Sequence, residues 1–116
     1  MKVVVQGTNE FNDYQVFLRA MAISLSSMQK DDQEFVVYSV GPNQVHSFVS
    51  EFCNVSEKGL KARGKRVKFY KTNPQWIEEN INDIKYFAYL SKPNQYVSKL
   101  ASFAQSNNVE LNVFSY

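Results

Sequence analysis

Short apolar runs rich in β-branched and aromatic residues alternate along the chain with segments in which apolar side chains recur at helical spacing. A continuous apolar run of this kind is typical of a strand that is buried on both faces of a parallel sheet. Such runs, together with the alternating pattern of residues 66–70, predict five strands, at residues 2–6, 34–40, 66–70, 85–90 and 109–114.

Polar residues suited to N-capping stand before most of the helically spaced segments. Asp13, Asn43 and Asn73 occupy three of these positions, and Pro74 takes the first helical position, where proline is favoured. We therefore predict four helices, over residues 14–29, 43–56, 74–82 and 92–106.

Strict alternation of strands and helices predicts an α/β protein with a three-layer, Rossmann-like architecture. Right-handed crossovers then give a doubly wound, mostly parallel, five-stranded sheet with about four helices. The chain contains no repeat, linker or low-complexity tract, so residues 1–116 are expected to form one domain.

Composition fits a small soluble domain. The 116 residues are 44% hydrophobic and 21% charged, which is enough for a real core, and no run approaches the roughly 18 apolar residues of a membrane span. The first residues lead directly into a strand and lack a signal-peptide pattern, so a cytoplasmic location without membrane contact is expected. The chain has one cysteine and one histidine, which excludes an internal disulfide and a thiolate–imidazole metal cluster, and no cofactor is expected.

Positive charge is concentrated in one segment, residues 58–68, on an otherwise mildly acidic chain with a net charge of +2. Two glycines fall in this segment, so it is interpreted mainly as a solvated, mobile loop. The alternatives are contact with nucleic acid, with Phe69 and Tyr70 available for stacking, or docking to an acidic protein. The basic residues are Lys58, Lys61, Arg63, Lys65, Arg66 and Lys68.

Polar side chains and glycines follow the carboxyl ends of the predicted strands, the edge at which doubly wound sheets bind ligands. Several also lie at helix N-termini, whose free N–H groups favour anions, although capping alone would explain most of them. The segment after the first strand lacks the further glycines of a dinucleotide fingerprint and the lysine of a phosphate loop. The candidate ligand-binding residues are Gly7, Thr8, Asn9, Gly41, Asn43, Asn73 and Ser91.

The opening of the chain resembles that of SLOG-like Rossmannoid domains, which include the DprA and lysine-decarboxylase-like (LOG) proteins and small bacterial and phage relatives. The resemblance rests on a first strand that ends in Gly7-Thr8-Asn9 and is followed by Phe11, Asp13 and Tyr14. It implies a nucleotide-type ligand and carries a role in binding onto Gly7, Thr8, Asp13 and Gly41.

Two departures from that family's pattern point to a degenerate member. Asn9 stands where the family has arginine, and the glycine-rich turn after the second strand keeps only Gly41. Pro42 removes a backbone donor from this turn, and the bulky Val45 and His46 take positions that small residues would hold.

Other chemistry has little support. His46 and Cys53 stand seven residues apart on one predicted helix, roughly 10 Å, which is too far for a nucleophile and its base. Cys53 is therefore expected in the core, and His46 at the surface or a helix start. If the chain is an enzyme, Asp13 and Glu10 are the only local carboxylates near Gly7.

These features favour a non-enzymatic accessory domain that binds a protein partner or a nucleotide-like ligand at the carboxyl edge of its sheet. The residue usage suits a phage protein that acts on host machinery or defence in the host cytoplasm. The alternatives are a SLOG-like hydrolase of a nucleotide N-glycosidic or phosphoribosyl bond, and a weak nucleic-acid binder that uses residues 58–68. The last strand is expected at an edge of the sheet, where a homodimer could form.

Overall fold

The computed structural model describes all residues, 1–116, and confirms the α/β Rossmann-like architecture. Its five-stranded sheet is parallel throughout, with strand order β3-β2-β1-β4-β5. The direction of winding reverses between β1 and β4, which makes the carboxyl ends of these strands the topological switch point. In chain order the elements are β1 (Lys2–Gly7), α1 (Tyr14–Ser26), β2 (Glu34–Val40), α2 (Asn43–Ala62), β3 (Arg66–Lys71), α3 (Pro74–Glu79), a short 3-10 helix (Ile81–Asp83), β4 (Tyr86–Ser91), α4 (Lys99–Ser106) and β5 (Glu110–Ser115).

Two hydrophobic clusters lie on opposite faces of the sheet. Phe17 and Met21 of α1 pack with Phe48 and Val49 of α2 on one face. On the other face, Ile77 of α3 and residues of α4 cover β1, β4 and part of β2. Because β-strand side chains alternate between faces, each central strand supplies both clusters, which explains why the strands read as continuous apolar runs.

Helix α2 is longer than the sequence pattern predicted, and the expectation of a loop over residues 58–68 was wrong. The helix passes through Gly59 because Leu60, which is only 4% exposed, anchors its last turn on the core. It ends at Ala62, and Gly64, two residues later, has a φ of +74°, the left-handed conformation that follows a helix C-terminus. The N–H of Lys65 donates to the carbonyl of Leu60 at 2.9 Å, which completes the cap.

Helix α4 begins later than predicted. The chain after β4 first makes a turn in which Asn94 has a φ of 63°, a conformation that a helix cannot contain. Ser98 then caps the helix by accepting the N–H of Ala101 at 3.0 Å, and it donates to the Gln6 side chain at 2.6 Å. Tyr96, which falls within the predicted range 92–106, therefore lies outside the helix and is 98% exposed.

The two edge strands differ in how far they are covered. β5 lies at one edge, as predicted, and β3 lies at the other. Five of the six residues of β3 are exposed and none is buried, so this strand presents side chains on both faces. None of the helices combines the length and the apolar character needed to cross a bilayer.

Candidate functional site

The crevice at the topological switch point is closed by the chain itself. The hydroxyl of Thr8 is hydrogen-bonded to that of Tyr116, and the Tyr116 N–H donates to the carbonyl of Ser91 at 3.2 Å. The N–H of Thr8 donates to the carbonyl of Leu90 at 3.1 Å. The ring of Tyr116 also packs edge-on against Phe11, with ring centroids 5.0 Å apart. The groups that would receive a ligand here are thus already paired.

The two carboxylates proposed for an enzyme have structural partners. Glu10 forms an exposed ion pair with Lys92 at 2.9 Å, and this hydrogen bond and charge lower the pKa of the Glu10 carboxyl. A general acid at neutral pH needs a raised pKa instead. Asp13 is the N-cap of α1, as predicted, and accepts the N–H of Val16 at 3.1 Å. Both carboxylates thus have local structural roles, Glu10 in an ion pair and Asp13 in a helix cap.

Gly7 and Gly41 are explained by packing within the chain. A Cβ at Gly7 would lie 2.6 Å from Cγ2 of Val45, a side chain that is 0% exposed. Gly41 has a φ of +118°, and a Cβ there would lie 2.8 Å from the carbonyl oxygen of Gly7. In glycine-rich turns the missing side chain lets a phosphate approach the backbone. Here the space beside Gly7 is filled by Val45, and the space beside Gly41 is filled by the carboxyl end of β1.

The other predicted ligand residues lie apart from one another. Ser91 is buried beside the closed crevice, and Asn9 is exposed after β1. Asn73 caps α3 by accepting the N–H of Trp76 at 2.9 Å. Asn43 is not the predicted cap of α2, because Pro42 holds that position; its side-chain oxygen lies 3.4 Å from the Lys71 ammonium instead. Asn43 and Asn73 thus flank the carboxyl ends of β2 and β3, away from Thr8 and Ser91.

An open pocket of about 350 Å³ lies at this second corner of the sheet edge. Its walls are the rings of Tyr38 on β2, Tyr70 on β3 and Trp76 on α3, which we call the aromatic corner. The ring centroids of Tyr38 and Trp76 are 4.6 Å apart, and those of Tyr38 and Tyr70 are 5.7 Å apart with planes inclined by 23°. Lys71 and Thr72 complete the lining.

A serine–histidine contact lies behind the aromatic corner, on the opposite face of the sheet. The buried hydroxyl of Ser39 is 2.5 Å from Nδ1 of His46 and 3.4 Å from the carbonyl oxygen of Tyr70. Burial, followed by the nearby positive charge of Lys71, lowers the pKa of His46. This pair ties α2 to β2 and β3. The sequence signal was a serine within an apolar strand, seven residues before the only histidine.

Cys53 is a core residue, as expected. It is 1% exposed, and burial raises the pKa of its thiol to about 12, so the reactive thiolate is not available at neutral pH. No cluster of three or more metal-ligating side chains is present.

No family model, curated protein or solved structure matches this chain. The resemblance to SLOG-like domains therefore stays a prediction.

The basic residues do not form one patch. Lys58 and Lys61 lie on α2, and Arg63 follows directly after it. Lys65 has a structural role, because its ammonium donates to the carbonyl of Asp32 and lies 3.2 Å from that of Lys30. These contacts fasten the turn after α2 to the turn before β2.

The last two residues of the basic segment lie on β3 and share one partner. Arg66 and Lys68 contact the same carboxylate oxygen of Glu34, at 2.9 and 3.5 Å. Because they are two residues apart in a strand, they lie on the same face as Tyr70. The segment thus contributes two cations to the side of the sheet that carries the aromatic corner.

Proposed function

We propose that this chain is a small, non-enzymatic binding domain that takes a nucleotide-like ligand in the aromatic corner. The observation that carries the proposal is the set of three aromatic rings around an open pocket at the carboxyl ends of β2 and β3. A planar base stacks well on such rings, each of which is worth about 1–3 kcal/mol in nucleic-acid sites. The pocket volume lies at the lower end of the range for small-molecule sites.

The charges near the aromatic corner suit the phosphate of such a ligand. Lys68 and Arg66 stand two and four residues before Tyr70 on the same face of β3. None of the five lining residues carries a carboxylate. Hydrolysis of a glycosidic bond generally uses a pair of carboxylates, so this lining supports capture of the ligand rather than its cleavage.

Binding of nucleoside monophosphates, measured by calorimetry, tests the proposal. Tyr70 is 49% exposed, so Tyr70→Ala removes a stacking surface without opening the core. We expect this change to weaken binding roughly 5- to 100-fold, the equivalent of one lost stacking contact. Tyr96→Ala is the matched control, because Tyr96 is 98% exposed and outside the corner.

Three results would contradict the proposal. The first is that no nucleoside monophosphate binds, and the second is that Tyr96→Ala weakens binding as much as Tyr70→Ala. The third is release of free base or ribose phosphate during prolonged incubation with the wild-type protein, because this would show turnover.

A further inference from the structure

We infer that the ligand of the aromatic corner is single-stranded nucleic acid, whose backbone continues from the corner down the exposed face of β3. This inference rests on the proposed function and extends it from one nucleotide to a chain of them. It is carried by a row of side chains on one face of β3, with Arg66, Lys68 and Tyr70 at alternate positions.

The row on β3 is accessible along its length. Side chains at alternate positions of a strand stand about 6.6 Å apart, so Arg66, Lys68 and Tyr70 span roughly 13 Å. The side chains of Arg66 and Lys68 are 68% and 47% exposed, and β3 has no buried residue. At its carboxyl end the row meets Trp76, so two cations lead directly into a stack of aromatic rings. Single-strand binding sites combine these two elements, a cationic track and a stacking platform.

The row keeps a positive charge although Glu34 lies beside it. One carboxylate faces two cations, and both cations are largely exposed. Exposed ion pairs contribute only about 0–1 kcal/mol, so a phosphate can replace Glu34 as the partner of Arg66 or Lys68 at little cost. Glu34 then competes with the phosphate for these two cations, so removal of the Glu34 charge should strengthen binding.

Other candidate ligands would match only some of the groups on this face of β3. The carboxylates of an acidic peptide would pair with the cations but would not stack in the aromatic corner. The bases of a duplex are stacked within the helix and cannot enter the pocket. A second copy docked β3 against β3 would bring the cationic side chains of two basic strands close together, and like charges would oppose the contact.

Fluorescence anisotropy with a labelled thymidine oligomer of about eight nucleotides tests the inference, with thymidine monophosphate as the comparison ligand. We expect the oligomer to bind at least 10-fold more tightly than the mononucleotide. Glu34→Gln should tighten oligomer binding several-fold, and by more than it tightens mononucleotide binding. Lys68→Gln and Arg66→Gln should each reduce the slope of log affinity against log salt by about 0.7, the value for one phosphate contact with a single strand. Lys61→Gln is the control, because Lys61 is an exposed cation on α2.

The outcomes separate this inference from the proposed function. If the mononucleotide binds in the aromatic corner and the oligomer binds no more tightly, the inference is overturned and the proposed function stands. If neither ligand binds, both are overturned. Binding of polyglutamate as tightly as the oligomer, or an equal loss with Lys61→Gln, also overturns the inference, because either would show attraction to any anion.

Discussion

Replacing Gly7 by alanine tests whether this residue serves internal packing or ligand approach. A glycine directly after the first strand is typical of phosphate-binding turns, but here its missing side chain makes room for Val45. The added Cβ would lie 2.6 Å from Cγ2 of Val45, and the next atom it would meet is Cβ of Phe11 at 3.4 Å. Both side chains are fully packed in the core, so one of them must move.

The cost of Gly7→Ala is that of overpacking, about 1–3 kcal/mol. At about 4 °C per kcal/mol for a domain of this size, the melting temperature should fall by about 4–12 °C. Val45→Ala alone removes two methyl groups and leaves a cavity, at a cost of about 2–3 kcal/mol. In the double variant the new Cβ occupies the space that Cγ2 has left. The two changes should therefore cost at least about 1 kcal/mol less together than the sum of the single variants.

The wild type, the two single variants and the double variant form a double-mutant cycle, and chemical denaturation of these four proteins gives the coupling free energy between residues 7 and 45. Titration of each protein with a nucleotide shows whether ligand affinity changes. Binding in the aromatic corner should survive in Gly7→Ala. The reasoning is refuted if Gly7→Ala leaves stability unchanged and abolishes nucleotide binding. Strict additivity within about 0.5 kcal/mol would also refute the packing explanation.

Three further predictions concern residues with structural roles. Gly41→Ala should lower the free energy of unfolding by about 3 kcal/mol or more, as measured by calorimetry, because φ is +118° and the new Cβ would meet backbone atoms, which cannot rotate away. A smaller loss than that caused by Gly7→Ala would contradict this. The folded-state pKa of His46 is lowered, so its contribution to stability is complete above the unfolded pKa of about 6.5 and is lost as pH falls through the folded value. Between about pH 7.5 and pH 5.5 the melting temperature should therefore fall more steeply for the wild type than for His46→Gln, and parallel curves would show no such role. Lys65→Met should lower the free energy of unfolding in urea by about 1–2 kcal/mol, because the carbonyls of Lys30 and Asp32 lose their donor. Arg63→Met, at an exposed position, is the control and should change this free energy very little.

The central strands β1, β2 and β4 could be predicted because burial on both faces requires a continuous run of mostly apolar residues. The helix ends could not, because Gly59 and Gly64 look alike as helix breakers. Because Leu60 packs on the core, the helix continues through Gly59 and ends at Ala62, just before Gly64. In the same way, Asn94 shows its left-handed conformation only in the folded chain.

The aromatic corner could not be predicted, because its three rings come from separate elements. Tyr38, Tyr70 and Trp76 meet only when β2 and β3 pair in register and α3 folds over them. Taken alone, Tyr38 is an ordinary strand residue, and Tyr70 is a candidate for stacking only beside the basic segment. The sequence pointed to the same edge of the sheet, but to the crevice beside Gly7, where Val45 and Tyr116 fill the space.

The most direct test of the central claim is a titration of isotope-labelled protein with a nucleoside monophosphate, followed by backbone and indole NMR shifts. The account predicts that the shifts concentrate on Tyr70, Thr72 and the indole N–H of Trp76. Shifts that concentrate instead on Thr8 and Lys92 would place the ligand at the topological switch point and contradict the account.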